Sequence, residues 1–299
     1  MESHDFKSGF IAIIGRPNVG KSTLLNAIAG EKLAIVSDKP QTTRGKVKAI
    51  LTDEKSQIIF VDTPGMNKPR NKLGEYMAKA VESAMDEVDG IIFIIDANDK
   101  KPGAGDIRII DMIKGTGIPV ILVINKIDTV KKERLLEVMA NFHGLLNPVS
   151  IVPVSAIRNE GVGELMEEVL KLLPSGPMYF DGEFSTDSTQ REIVSETIRE
   201  KILQLLEDEV PHGIAVDVIS FKEREGKDII DIEADIICER NSHKGIIIGK
   251  DGTMLKKIGT LARADIEKML DSKVFLKLWI RVREDWRNNN AILKDLGFK

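Results

Sequence analysis

Gly15–Arg16–Pro17–Asn18–Val19–Gly20–Lys21–Ser22 is the stretch on which the fold assignment turns. It fits the pattern G-x-x-x-x-G-K-[ST]. The apolar run Phe10–Ile14 precedes it, and Lys21–Ala29, with Thr23 in its first turn, has helical character. A strand that turns through glycines into a helix presents backbone N–H groups and the positive end of a helix dipole to a phosphate. In that setting Lys21 reaches the β- and γ-phosphates of a nucleotide and the Ser22 hydroxyl ligates Mg²⁺.

Working outward, further aliphatic runs lie at Val47–Leu51, Ile58–Val61, Ile91–Ile95, Val120–Ile124 and Ile151–Val154. Amphipathic stretches fall between several of them, at Gly74–Glu87, Asp106–Lys114, Lys131–Leu146 and Val162–Leu173. Strands that are apolar on both faces and alternate with helices predict an α/β fold: a mostly parallel six-stranded sheet covered by five helices. Two more motifs sit at carboxyl ends of strands, the ligand edge of such a sheet. Asp62–Thr63–Pro64–Gly65 follows the third strand: Asp62 holds Mg²⁺ through water and the Gly65 N–H senses the γ-phosphate. Asn125–Lys126–Ile127–Asp128 ends the fifth: Asp128 accepts from the N1–H and amine of guanine, and the Lys126 stem covers base and ribose. Adenine would leave that carboxylate unpaired, at a cost of several kcal/mol in order of magnitude, which selects guanine. Ser155–Ala156, after the sixth strand, offers a backbone N–H to guanine O6.

The composition changes after residue 173. Pro174–Ser175–Gly176–Pro177 and the polar run 181–188 predict a linker over 174–190 between domains at 1–173 and 191–299. Beyond it the patterning predicts a helix (Arg191–Glu209), strands (Ile214–Ser220 and Ile229–Ile237), two helices around Gly249–Lys250–Asp251–Gly252, a strand (Val274–Val282) and a C-terminal helix. A G-x-x-G loop between two helices clamps about four nucleotides of single-stranded nucleic acid in a KH domain, and the two preceding strands give the bacterial, type II order. Lys244, Ile248, Gly249, Lys250, Asp251, Gly252, Lys256 and Lys257 are the expected RNA contacts, with Arg263 adding charge. The balance of charge agrees. The chain carries −4 overall, yet residues 241–299 hold thirteen Lys/Arg against seven Asp/Glu.

Composition also excludes. With 299 residues, 42% hydrophobic and 30% charged, the chain is of globular type and two-domain size. Its apolar runs fall far short of the ~20 residues of a membrane-spanning helix. Met1–Asp5 has neither the cationic start nor the apolar core of a secretory signal. The single cysteine, Cys238, forms no internal disulfide and predicts a reducing, cytoplasmic setting.

The order GRPNVGKS, QTTR, DTPG, NKID, SA resembles the GTP-binding domain of translation-associated GTPases over about residues 8–173. Joined to one C-terminal KH domain, it closely resembles the bacterial Era family. The resemblance implies that the nucleotide loop Gly15, Arg16, Pro17, Asn18, Val19, Gly20, Lys21, Ser22, Thr23 binds GTP or GDP. It implies that Thr43, or its neighbour Thr42, is the switch threonine on Mg²⁺. Lys32–Lys46 and Thr63–Leu73 would be the two switches. Met66 stands where Ras-like enzymes carry a water-orienting Gln, so intrinsic hydrolysis is expected to be slow. Asn18 lies where related GTPases without that Gln hold K⁺, so Lys21, Thr43, Gly65 and Asn18 form the expected catalytic set. The family further implies binding to the 3′ region of small-subunit ribosomal RNA, assembly of the small ribosomal subunit, peripheral contact with the inner membrane, and a monomer. Two alternatives stay open, a GTP-binding RNA chaperone with negligible hydrolysis and a membrane-associated GTPase. The segment Lys273–Lys299, with Trp279 and Trp286, would meet RNA or lipid, or pack.

Overall fold

The aliphatic runs fold into strands, the inner four of them enclosed on both faces. In the computed structural model, which describes residues 6–37, 39, 41–66, 69–207 and 210–298, they are β1 (Lys7–Gly15), β2 (Val47–Thr52), β3 (Ser56–Asp62), β4 (Gly90–Asp96), β5 (Val120–Asn125) and β6 (Ser150–Pro153). They lie in the order β2-β3-β1-β4-β5-β6. Only the β2–β3 hairpin is antiparallel. Five helices cover the sheet: α1 (Lys21–Ala29), α2 (Lys72–Ala84), α3 (Ala104–Lys114), α4 (Lys132–Leu146) and α5 (Val162–Leu172).

The period of two along each strand divides the apolar residues between two cores. Ile11, Ile13, Phe60, Ile92 and Val123 pack with Leu24 and Leu25 of α1 and Leu165 and Val169 of α5. Ala12, Ile14, Phe93, Ile95 and Leu122 pack with Val81 of α2, Ile109 and Ile113 of α3, and Phe142 of α4. The chain leaves β1 toward β3 on one side and reaches β4 on the other. The end of β1 is therefore the point where strand order reverses, and ligands of open α/β sheets bind there.

Residues 174–187, expected as linker, instead pack on this sheet. The buried amide of Gln57 in β3 accepts from the N–H groups of Tyr179 (2.7 Å) and Phe180 (2.9 Å), and donates to the Phe180 carbonyl (2.8 Å). Ile50 N–H donates to the Ser185 carbonyl at 2.8 Å, and Lys48 pairs with Asp187 at 2.7 Å. The segment is polar because it is a surface strap, and backbone groups hold it down. Contacts group the described residues of 1–36, 43–69 and 77–187 as one unit, and 37–42, 70–76 and 188–299 as another. The boundary thus falls at 187/188, and the expected first switch, 32–46, is shared between the two groups. Residues 38, 40, 67 and 68 of the expected switches, and 208–209 of the expected helix, lie outside the described residues.

The second unit opens with α6 (Gln190–Leu205). Its first turn is sealed by a capping box in which Thr189 Oγ1 accepts from Glu192 N–H while the Glu192 carboxylate accepts from Thr189 N–H. Strands β7 (Ala215–Glu223), β8 (Ile229–Cys238) and β9 (Lys273–Val282) form a sheet in that order, β7–β8 antiparallel and β8–β9 parallel. Helices α7 (Asn241–Ile248) and α8 (Thr253–Leu270) flank the Gly-rich loop, and α9 (Asn290–Asp295) is the last helix among the described residues. Ile198 and Ile202 of α6 and Ile258, Ala262 and Ile266 of α8 close over Val216, Ile232, Ala234 and Ile236 on one face of the sheet. Trp286 packs: it is fully buried and its Nε1–H donates to the Gly213 carbonyl at 2.9 Å. Trp279, on β9, is 53% exposed.

Candidate nucleotide and nucleic-acid sites

The nucleotide loop leaves β1 at Gly15 and enters α1 at Lys21. Gly20 holds φ +99°, and a Cβ there would lie 2.3 Å from the Asn125 amide nitrogen, so glycine is required. Asn18 is also left-handed, at φ +64°. Val19 is buried in the core. Lys21 Nζ donates to the carbonyls of Gly15 (3.2 Å) and Arg16 (3.0 Å). Burial pushes its pKa down to about 8, against the pull of Asp62.

Three oxygen-bearing side chains meet beside that lysine. Ser22 Oγ donates to Asp62 Oδ2 at 2.8 Å and lies 2.9 Å from Thr43 Oγ1, which is 3.3 Å from the same carboxylate oxygen. Thr42 turns away, its hydroxyl donating to the Lys39 carbonyl at 2.6 Å. Of the two threonines left open by the sequence, Thr43 is the one beside Ser22 and Asp62. Asp62 is fully buried, and its Oδ1 has no hydrogen-bond partner. Burial raises its pKa, with Lys21, Ser22 and Thr43 opposing. A hard-oxygen set with one orphaned carboxylate oxygen suits Mg²⁺, which keeps several of its waters.

Thr63 anchors this edge by donating its hydroxyl to the Ile13 carbonyl at 2.8 Å. After Pro64, Gly65 passes close against the nucleotide loop, where a Cβ would sit 2.8 Å from the backbone of Pro17. Met66 packs against the apolar core, so it offers nothing to orient water.

At the base end, Asp128 Oδ1 accepts from Ser155 Oγ at 2.6 Å, and Arg158 stands 3.9 Å from its other oxygen. Lys126 Nζ donates to the Asn18 carbonyl at 2.7 Å and pairs with Asp96 at 2.6 Å, which stretches its stem across the site. Burial pushes the Asp96 pKa up, but bonds from Lys126 and Asn98 outweigh it and hold the carboxyl below its ordinary value. Of the Ser155–Ala156 pair, expected to offer a backbone N–H to guanine, the Ala156 N–H donates to Asn125 Oδ1 at 3.0 Å and the Ser155 N–H donates to the Glu160 carbonyl.

Two contacts escaped the sequence reading. Asn125 also donates to the Val19 carbonyl at 2.9 Å, so one side chain ties the nucleotide loop to the Ser155–Ala156 turn. Arg16 donates to the buried Asp106 at 2.7 Å and also pairs with Asp99, which fastens the loop to the start of α3. Asp99 and Asp106, the partners of Arg16, carry no motif signal.

In the second unit Gly249 takes φ +72°, and a Cβ there would lie 2.7 Å from Met254 Cβ. Asp251 and Gly252 are left-handed too, at φ +53° and +76°. This tight turn delivers the chain to the N-terminus of α8. Beside it a groove of about 370 Å³ is lined by Gly252, Leu255, Lys256, Arg263, Leu276 and Leu278 among others. Of the expected RNA residues, Gly252 and Lys256 line this groove; Lys250 and Asp251 are exposed at the turn, while Lys257 is exposed on α8 outside the lining. Ile248 is partly buried at the end of α7. Lys244 instead lines a separate hollow of about 580 Å³ with Asn241, Arg281 and Arg283. The apolar floor, Leu255 with Leu276 and Leu278, was missed; its signal was the alternation of leucines on β9.

Comparison with known proteins accords with this geometry. Residues 10–126 match the family described as 50S ribosome-binding GTPase, and residues 209–287 match the KH domain. GTPase Era of Ruminiclostridium cellulolyticum is 50% identical over 98% of both chains. GTPase Era of Clostridium kluyveri is 53% identical over 98% of this chain and 99% of its own. The crystal structure of a single-substitution variant of Aquifex aeolicus Era bound to GDP·AlF4⁻ superposes with a TM-score of 0.95 at 38% identity, covering 98% of this chain and 99% of that one. Era in complex with MgGDPNP and nucleotides 1506–1542 of 16S ribosomal RNA matches with the same score, identity and coverage. With half its residues identical to a full-length relative and both domains present in order, the chain belongs to the Era family of GTPases.

Proposed function

We propose that this GTPase binds the 3′ region of small-subunit ribosomal RNA through its KH domain and uses GTP hydrolysis to time assembly of the small ribosomal subunit in the cytoplasm. The observation that carries the reading is the glycine-turned groove beside α8. It accompanies 38% identity along the whole chain to an Era that holds nucleotides 1506–1542 of 16S RNA together with MgGDPNP. The family description naming the 50S particle matches only residues 10–126, within the nucleotide unit, and so does not bear on the RNA-binding domain.

In the reaction, water attacks the γ-phosphorus, the bond to the β–γ bridging oxygen breaks, and GDP and phosphate leave. Lys21 and the backbone N–H groups of the loop hold the β- and γ-phosphates, and the Gly65 N–H meets the γ-phosphate. Ser22 and Thr43 ligate Mg²⁺ and Asp62 holds it through water; the ion supplies charge neutralisation to the phosphates. Asp128 reads the guanine edge, Lys126 covers the base, and O6 competes with Asn125 for the Ala156 N–H. Because Met66 orients no water, we infer that K⁺ at Asn18 supplies part of the transition-state charge. Equal hydrolysis rates in K⁺ and Na⁺ at fixed ionic strength would overturn that assignment.

No helix among the described residues is long and apolar enough to cross a membrane. In this reading the inner-membrane contact is peripheral and is made by a monomer, and vesicle flotation and light scattering test both points. The central test is RNA affinity by anisotropy with a GTP analogue and with GDP. Tighter binding in the GTP state is expected, together with an equal tightening of GTP by RNA. Equal affinities in the two states would refute the switch.

A further inference from the structure

Helices α6 and α8 cover one face of the second unit's sheet, and β9 is one of its two edge strands. Along β9 the inward residues, from Val274 through Val282, pack with the core. The outward residues alternate cation and aromatic: Lys273, Phe275, Lys277, Trp279, Arg281, all exposed. Phe275 is 49% and Trp279 53% exposed. Large aromatics left in water on a regular strand ask for a partner.

We propose that this outer stripe of β9 is a base-stacking platform, which takes bases of the same RNA strand after it leaves the groove; the proposal rests on the RNA reading above. Three observations carry it. The first is continuity. Leu276 and Leu278 of β9 floor the groove, and Phe275, Lys277 and Trp279 are their immediate neighbours on the other face of the same edge strand. A strand of RNA crossing that edge meets them next. The second is spacing. Phe275 and Trp279 are four residues apart, about 13 Å along the strand, which suits separate bases rather than one. Aromatics on an open sheet face are how sheet-based RNA modules stack two or three bases. The third is charge. Phe275 lies under Arg224 and Lys277, at 5.7 and 5.5 Å from its ring centre. Lys277 also pairs with Glu233 (3.0 Å) and Arg281 with Asp235 (3.2 Å), so the acidic row on β8 keeps a polyanion off the centre of the sheet and on the β9 edge. That acidic row also argues against a flat anionic lipid surface lying across the sheet.

The two tryptophans make the test direct. Trp279 is exposed and Trp286 is buried, so stacking quenches the first and spares the second. The full-length chain with a GTP analogue is titrated with RNA spanning nucleotides 1506–1542 of 16S RNA, following tryptophan emission and the anisotropy of labelled RNA. RNA is expected to quench Trp279. Phe275→Ala and Trp279→Ala should each weaken binding about 5- to 150-fold, the range of one base–aromatic stack, and leave GTP-analogue affinity unchanged. Trp279→Phe should recover most of the loss. Gly249→Asp with Gly252→Asp is the control for the groove. If that variant loses RNA while Phe275→Ala and Trp279→Ala bind like the parent, and RNA leaves the parent's tryptophan emission unquenched, the platform is refuted and the groove stands. If the parent chain binds no RNA, both readings fall. If the aromatic variants lose affinity for phosphatidylglycerol vesicles and not for RNA, the face belongs to a membrane and the platform is refuted.

Discussion

Replacing Asn125 by Ala isolates the side chain that joins the two ends of the nucleotide site. Asn125 is 2% exposed, donates to Val19 and accepts from Ala156. Truncation removes both bonds and leaves a carbonyl and an N–H without their partner. A buried polar group left alone costs about 1–3 kcal/mol, so the two together cost about 2–6 kcal/mol. The loss divides between folding and binding, since a loop that drifts shows up either as lower stability or as work done when nucleotide orders it. For a unit of this size each kcal/mol lowers Tm by about 2–4 °C, and each ~1.4 kcal/mol of lost affinity raises Kd tenfold. The assay pairs thermal unfolding with titration of fluorescent GDP. Asn125→Asp is the second arm: it keeps an acceptor for Ala156 but aims a charge at the Val19 carbonyl, so it should do no better than Ala. A Tm within about 1 °C of the parent together with a Kd within about threefold would refute the account, because less than ~1 kcal/mol would then have been lost in all.

Asp128→Asn should weaken GTP by about 10²–10⁴-fold, the worth of two hydrogen bonds to a charged group. The same variant should gain xanthosine triphosphate, whose 2-oxo group accepts where guanine donates; competition binding checks both. Trp286→Ala should destabilise the second unit by about 3–5 kcal/mol, read by denaturant unfolding. Trp286→Phe should cost less, keeping the bulk and losing only the bond to Gly213. Cys238 is fully buried, and burial raises its thiol pKa. Its reaction with a maleimide should be slower in the native protein than in denaturant by on the order of 10³-fold or more, at a rate set by opening of the β8 region.

The sheet was legible because β3, β4 and β5 are apolar on both faces, a pattern that surface elements do not imitate. The nucleotide motifs were legible because each sits at a strand's carboxyl end. Less legible were features set by partners far along the chain. Residues 174–187 read as a linker because composition records that a segment is polar; it is silent about Gln57, some 120 residues away, which ties the segment down. β7 extends to Glu223, past its expected end at Ser220, because the register shifts between Val218 and Ser220 and pairing then resumes. Arg16 and Asp106 carried no mark of each other. In the RNA groove, glycines and lysines announced the rim, while the leucine floor looked like any core.

The sheet orders also set the sequence in which the protein can be completed during synthesis. β2–β3 and β7–β8 are antiparallel hairpins whose strands pair with close neighbours in the chain. β1 is made first but sits between β3 and β4, so it must wait until residue 96 for both partners. β9 pairs in parallel with β8 across the whole of α7 and α8. Such long-range closure is slow, and it comes last. A ribosome stalled before Lys273 would expose a nascent chain with the β8 edge unpaired and the core beneath α8 incomplete. That is the kind of intermediate that aggregates or recruits chaperones.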